Sequence, residues 1–405
     1  MSFRLALSGL NAASTDLNVT ANNIANSATT GFKSSRTEFA ELFSSTADSL
    51  SAQATGNGVR VASVAQQFKQ GNIETTTNSL DLALSGSGFF TLSNGGALSY
   101  SRAGAFRPDA SGFVVNAEGQ RLQVYPPLDT GGFNTGALSD LQLVTAESAP
   151  QATTGVNILM NLPSDSTVPA NPVFDPADPT SYSRASALTV YDSLGAAHTT
   201  QTYFVKTAAS GQWDVHVSID GAPVGPAQQL TFNASGSLIT PANGKLVLPS
   251  YTPATGAAAL DMTLDFTGST QFGSTFGVNS VSQNGYTSGR LIGIDIDKSG
   301  IVQARFTNGR ANSLGMVALA NFAAPGNLQK LGDTQWAESF GSGQAVRGQA
   351  GVAGLGSIQS SSLEASNVDI TAQLVNMITA QRNFQANAQM ITTQDQITQT
   401  ILNIR

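Results

Sequence analysis

Both ends of this chain carry a heptad-like apolar stripe, and the long stretch between them carries a different period. Near the N-terminus Phe3, Leu7, Leu10, Ser14, Leu17, Ala21 and Ile24 follow alternating steps of four and three. That spacing keeps one side of an α-helix against a neighbour. Toward the C-terminus Ile370, Leu374, Met377, Phe384, Ala388, Ile391 and Leu402 keep the same kind of register, interrupted by Gln381, Asp395 and Thr398. Ile397, Ile401 and Ile404 shift the phase near the tip. At 1.5 Å per residue the two helices would run about 33 Å and about 54 Å. Ser366 or Asn367 would cap the second, with Asp369 in its first turn. The chain would leave along one helix and return along the other, so the domains between are nested and discontinuous.

The middle alternates with period two. Trp213, Val215, Val217 and Ile219 interleave with Asp214, His216, Ser218 and Asp220, and an Asp220–Gly221 turn follows. Leu260, Met262, Leu264 and Phe266 interleave with Asp261, Thr263, Asp265 and Thr267. Ile292, Ile294 and Ile296 lead into a Lys298-Ser299-Gly300 turn and a partner strand from Ile301 to Phe306. These patterns predict half-buried strands of antiparallel sheets. The run Leu162–Pro179, with five prolines, reads as a loop. The fold class is therefore mainly β with helical termini paired in coiled-coil fashion.

Charge is scarce where the stripes lie. Only 11% of the 405 residues are charged, against about 25% in an ordinary globular chain. Residues 1–30 hold Arg4 and Asp16 alone; residues 367–405 hold Asp369, Arg382, Asp395 and Arg405. A solvated helix usually displays Glu and Lys outward, so uncharged faces suit packing into a crowded wall of helices. A second stripe, Leu5, Ala12 and Val19, lies nearly opposite the first, and a simple intramolecular pair would leave it exposed. Neighbouring copies are expected to bury both faces.

The net charge of −7 disfavours nucleic acid and anionic membrane surfaces. No apolar run is long enough to insert in a membrane. Without cysteine there is no disulfide, thiol nucleophile or thiolate metal site. Two histidines, His198 and His216, make a poor metal site, and solvent exposure is the plainer reading. No Walker A run or Gly-x-Ser-x-Gly elbow occurs, and the Gly354-x-Gly356 pattern is broken at Gln359. Asp295, Asp297, Ser299 and Gly300 imitate half an EF-hand loop, but Phe306 stands where its glutamate belongs. No catalytic, cofactor or metal residues are expected, and no enzyme.

Three blocks resemble the flagellar rod and hook family. The first comprises Leu7-Ser8-Gly9-Leu10-Asn11-Ala12, Ala21-Asn22-Asn23-Ile24-Ala25-Asn26 and Thr30-Gly31-Phe32-Lys33. The second runs from Leu80 to Phe90 and continues through Tyr100-Ser101-Arg102-Ala103-Gly104-Ala105-Phe106. The third is Leu363-Glu364-Ala365-Ser366-Asn367-Val368-Asp369 with Ala380-Gln381-Arg382-Asn383-Phe384-Gln385-Ala386-Asn387. Thr189–Gly195, Leu230-Thr231-Phe232 and Asn284-Gly285-Tyr286 are similar to hook members, whereas rod members lack most of residues 145–284. The resemblance covers nearly the whole chain and is weakest around residues 163–180.

The resemblance implies a structural subunit that polymerises with itself into a flexible curved tube, the joint between rod and filament. It implies export by the flagellar type III apparatus, a distal rod protein below, a hook cap protein during growth and junction proteins toward the filament. The implied division is 1–26 with 361–405 as an inner helical domain, 27–70 as a linking segment reaching adjacent subunits, 71–144 with 285–360 as a β-rich domain, and 145–284 as an inserted outer β-domain. The polymer interface is expected at Phe3, Leu7, Leu10, Leu17, Ala21, Ile24, Ile370, Leu374, Met377, Phe384, Ala388 and Ile391. The alternatives are a distal rod or other axial component, and a secreted β-domain adhesin.

Overall fold

A computed structural model describes residues 2–42, 56–143 and 147–403. Residues 43–55 of the linking segment and Ile404 of the shifted tip lie outside the described residues. Helix α1, Ser2–Ala25, and helix α2, Ile370–Asn403, occupy the two ends. Between them, among the described residues, the regular elements are strands and one short 3-10 turn. The fold is mainly β with its two terminal helices in contact.

The helices run antiparallel. Asn23 meets Gln373 through a 3.2 Å side-chain hydrogen bond, and Gly9 lies against Asn387. Moving from Asn23 back to Gly9 thus matches moving forward from Gln373 to Asn387. That register carries α2 past the start of α1, so its last turns extend beyond the pair. The cap of α2 is Asp369, whose Oδ1 accepts the Ala372 N–H at 3.1 Å. The expected caps serve elsewhere: Asn367 accepts the Ser34 N–H (2.8 Å) and donates to the Gln67 and Lys69 carbonyls. Asp369 lies directly before the first helical residue, where a carboxylate can reach an unpaired helix N–H.

Two compact units divide the chain. One comprises Met1–Thr145, Gly293–Arg305 and Ala311–Arg405; the other comprises Ala146–Ile292 and Phe306–Arg310. In the first, a large sheet runs from Ile301–Phe306 through Ala311–Val317, Arg121–Tyr125, Phe89–Asn94 and Ala97–Ser101 to Gln335–Ala337. Leu84, Phe90, Leu92, Leu122, Val302 and Ile358 form its main core. A separate antiparallel hairpin, Ser35–Glu41 with Val59–Gln66, packs on α1: the Val59 N–H donates to Ser8 Oγ (3.3 Å), and Ser35 pairs with Asn23 in both directions. This hairpin comes against the helix side that holds Leu5 and Ala12. The second stripe is therefore partly covered by the chain itself: Ala12 is buried and Val19 half-buried, while Leu5 stays exposed.

The second unit is a β-sandwich. A six-stranded sheet contains Arg184–Tyr191, Ala197–Lys206 and Gln212–Ile219; a four-stranded one contains Gly155–Asn161, Thr263–Asp265 and Gly277–Gln283. Their inner faces share one core, in which Trp213, Phe204, Val215, Met160, Leu264 and Phe266 are buried. The runs Trp213–Ile219 and Leu260–Phe266 place their apolar members inward as expected, whereas in the run Ile292–Ile296 only Ile296 is buried and Ile292 is exposed. Leu260, Met262, Leu264 and Phe266 are all buried although the regular strand there spans only Thr263–Asp265. The all-antiparallel expectation fails where Gly155–Asn157 pairs parallel with Thr263–Asp265, and Asn161 bridges Thr270 in the same sense. The cause is the long chain excursion between these strands, since alternation encodes which side is buried and not which neighbour is paired. The Pro-rich run joins Asn161 to Arg184 without regular structure. The EF-hand imitation is a hairpin turn, with Asp297 Oδ1 accepting the Ser299 and Ile301 N–H groups (each 2.9 Å).

Candidate functional site

On α1 the buried side of the helix pair is made of small residues, not of the large apolar ones. Ala6, Ala13 and Thr20 repeat at heptad spacing on α1 and are buried, together with Ala12 and Asn23. On α2, Gln373, Met377, Ala380, Phe384, Asn387, Ile391 and Gln394 step by four and three and are each less than exposed, Ala380 being 1% accessible. Small and amide side chains let two helix backbones approach closely. A methyl added at Gly9 would collide with Asn387.

The expected interface residues fall into two groups. Phe3, Leu7, Ile370 and Leu374 are 45%, 41%, 50% and 47% accessible, and Ala21 is also exposed. Leu10, Leu17 and Ile24 are half-buried; each stands four residues after Ala6, Ala13 or Thr20, at the rim of the helix contact. Met377, Phe384, Ala388 and Ile391 are half-buried on the α1-facing side of α2. Val375, Ile378 and Met390 along α2, which the heptad frame does not include, are also open to solvent, as are Leu402 of the stripe and Ile397 and Ile401 of its shifted phase.

Several threonines of these helices satisfy themselves. Thr379 donates to the Val375 carbonyl, Thr393 to Gln389, Thr398 to Gln394 and Thr400 to Gln396. Thr15 likewise donates to Asn11. A hydroxyl turned back on its own helix needs no water, so such a face can be covered by another apolar surface at little cost.

Sequence reasoning also missed a buried ionic junction where the chain passes between helices and sheet. Lys33 Nζ meets Glu364 Oε1 at 2.6 Å, and Arg102 meets Glu364 Oε2 at 3.3 Å. All three side chains are almost wholly buried. Lys33 also donates to the Lys69 carbonyl (2.8 Å), Arg102 to the Gly86 carbonyl (2.7 Å), and the Gly71 N–H to Glu364 Oε1 (2.9 Å). Burial lowers the Lys33 pKa, opposed by the charge and hydrogen bond of Glu364. The Gly31 N–H donates to the Glu364 carbonyl at 2.8 Å. At Gly31, φ is +69° and an added Cβ would lie 2.7 Å from Ala103 Cα, so glycine is required there. The three blocks of the sequence therefore meet at one point. Each contributes a charge, and that scarcity of charge was the available signal.

His198 is not solvent-exposed. It is buried between Asp192 and Asp220, while His216 is half-buried and stacked on Phe174 at 3.9 Å. Period two puts both residues on defined strand faces but cannot show that turns and loops cover those faces. Among the described residues no helix is long and apolar enough to cross a membrane.

Known families account for most of the chain. Residues 3–33 match the family "Flagella basal body rod protein" and 83–161 the "Flagellar hook protein FlgE/F/G D1 domain". Residues 161–286 match the "Flagellar basal body protein FlaE D2 domain" and 359–404 the "Flagellar basal body rod FlgEFG protein C-terminal". The flagellar hook protein FlgE of Salmonella typhimurium is 40% identical over 419 residues, covering 100% of both chains. That of Escherichia coli K12 is 38% identical with the same coverage, and that of Borreliella burgdorferi 33% identical over 98% of each. The crystal structure of Helicobacter pylori flagellar hook protein FlgE2 shares the fold, with a TM-score of 0.55 over 72% of this chain and all of that one at 14% identity. With end-to-end identity to hook proteins and a matching fold, the chain belongs to the flagellar hook protein FlgE family, a structural, non-enzymatic family of the flagellar axis.

Proposed function

We propose that this hook subunit polymerises by burying the exposed apolar residues of α1 and α2 against the helices of neighbouring copies, forming the inner wall of a tube. The observation that carries this reading is the division of labour on the helices. Small residues of α1 make the contact within the chain, and Phe3, Leu7, Ile370, Leu374, Val375 and Ile378 are left open. Ala21 is open beside them, and the half-buried Leu10, Leu17, Ile24, Met377, Phe384, Ala388 and Ile391 would be sealed at their rims. Covering the remaining half of a leucine contributes about 1 kcal/mol, repeated in every copy along the wall.

In this reading residues 1–26 and 361–405 form the inner domain, and 27–70 link it outward to adjacent subunits. Residues 71–144 with 285–360 form a β-rich domain, and 145–284 an outer one that slides against its neighbours as the tube bends. The curved tube is the universal joint that carries torque from rod to filament. The finer partners are a distal rod protein, a hook cap protein, hook–filament junction proteins and the type III export apparatus.

Electron microscopy of concentrated protein tests the interface. Leu374→Asp, and separately Phe384→Asp, should give a folded monomer whose β transitions stay within a few degrees of the parent and which forms no tubes. The carboxylate would have to be desolvated in the assembled wall, at a cost of several kcal/mol. Normal tubes from Leu374→Asp would remove the open helix face from the polymer contact.

A further inference from the structure

The β-sandwich holds a histidine clamped between two carboxylates. His198 Nδ1 lies 2.5 Å from Asp220 Oδ2, and Nε2 lies 3.2 Å from Asp192 Oδ2. His198 is 6% accessible and the Asp192 side chain is fully buried. Asp192 Oδ2 also accepts the Thr255 hydroxyl (2.8 Å), and its Oδ1 accepts the Leu194 and Ala196 N–H groups (2.9 and 2.8 Å). Asp220 Oδ1 accepts the Thr199 N–H (2.8 Å). Tyr251 stands edge-on to the imidazole with ring centres 6.4 Å apart. A neutral imidazole has one N–H, so one carboxylate would face a ring lone pair; the imidazolium donates to both.

These contacts fasten three separate pieces of chain. Asp192 begins the turn between Arg184–Tyr191 and Ala197–Lys206, Asp220 follows Gln212–Ile219, and Thr255 lies in the connection before Leu260. The Ala258 N–H donates to Ser193 Oγ (2.9 Å), adding a fourth tie. The same turn abuts the strands by which the chain enters and leaves the sandwich. A Cβ added at Gly195 would lie 2.8 Å from Pro150 Cβ and 3.3 Å from Thr287 Cα. Gln151 bridges Tyr286, and Ser148 bridges Gly289, just beside them.

We propose that His198 is a proton-operated latch at the root of the sandwich, closed while the imidazole is doubly protonated and loosened when it loses a proton. Burial by itself would disfavour the charged ring, but the hydrogen bonds and charges of Asp220 and Asp192 outweigh it and raise the His198 pKa above 6.5. Asp192 is pushed upward by burial, but bonds from Thr255, His198 and two amides bring it down to about 2. A raised histidine pKa means its stabilisation is complete below 6.5 and is lost as pH climbs through the raised value. The Asp192 contribution is present above 3.8 and is lost as pH falls toward about 2. The latch is tightest between those limits.

The full-length protein with isotope-labelled histidine has two ring systems to follow, and His216→Gln assigns them. His198 should show both nitrogens protonated below pH 6.5 and a midpoint above 6.5. Amide protection at Leu194, Ala196, Thr199 and Ala258, corrected for intrinsic exchange, should fall as pH climbs from 6.5 through that midpoint and level off above it. Asp220→Asn removes a half-exposed carboxylate, so the fold should survive while the midpoint drops and the pH dependence of protection disappears. A midpoint at or below 6.5, protection indifferent to pH, or an unchanged midpoint in Asp220→Asn would each overturn the latch.

Discussion

Glu364 ties together several distant parts of the chain. It neutralises two buried cations and receives a backbone N–H from Gly71, while its own carbonyl takes the Gly31 N–H. Removing one partner of such a group strands the opposite charges without water, which costs about 3–5 kcal/mol. Glu364→Ala should therefore lower the melting transition of the helix-bearing unit by on the order of 10 °C. The β-sandwich transition should be unchanged, because none of the contacts lie in it. Differential scanning calorimetry separates the two, and an unaltered first transition would show that Lys33 and Arg102 find other partners. The cluster contains one more cation than anion, so a neutral Lys33 is the cheapest way to relieve it at high pH, consistent with its lowered pKa.

At the scale of elements, the helices show two kinds of surface made from one amphipathic pattern. The inner contact of Ala6, Ala13, Thr20 and Ala380 is close-packed, and the outer faces carry leucine, isoleucine, phenylalanine and methionine. Ala380→Leu should force the helices apart, because a buried position filled by a methyl has no room for three more carbons. Overpacking of this kind costs about 1–3 kcal/mol. Hydrogen exchange should report lower protection along both α1 and α2 with the sheet unaffected. Wild-type protection throughout would mean that the pair has slack at this level. The same substitution on an outer face, at Ala21, is expected to leave the isolated subunit intact.

For the whole molecule, the two units have separate cores, and the chain enters and leaves the sandwich through adjacent strands. Such an insertion can be removed without cutting the helices that are proposed to build the tube. Excising residues 145–284 should leave a subunit that still polymerises. Its tubes should be straight or variable, because outer-domain contacts would no longer select curvature. Electron microscopy reads the outcome directly. A folded deletion variant that forms no tubes would place the insertion in the main wall.

Much of this was legible in the sequence because it rests on local periodicity. Steps of four and three announce helices at both ends, and period two announces which side of each strand is buried, as Trp213, Val215 and Ile219 illustrate. The near absence of charge on the terminal segments is one ground for proposing that those faces meet other chains. What periodicity could not supply is the identity of the neighbour. It ranked the leucines of α1 above Ala6 and Ala13, yet the alanines make the intramolecular contact, because backbone proximity is decided by the partner's shape. It placed the cap of α2 at Ser366 or Asn367 when Asp369 holds it, since Asn367 is claimed by Ser34, Gln67 and Lys69 from distant parts of the chain. It treated Lys33, Arg102 and Glu364 as motif letters and His198 as a surface residue. Residues 331 positions apart, such as Lys33 and Glu364, become an ion pair only when the tertiary fold excludes water around both. Sequence determines the period and chemistry of each element; only the folded chain decides which groups lose solvent together, and that loss gives a charge or an alanine its role.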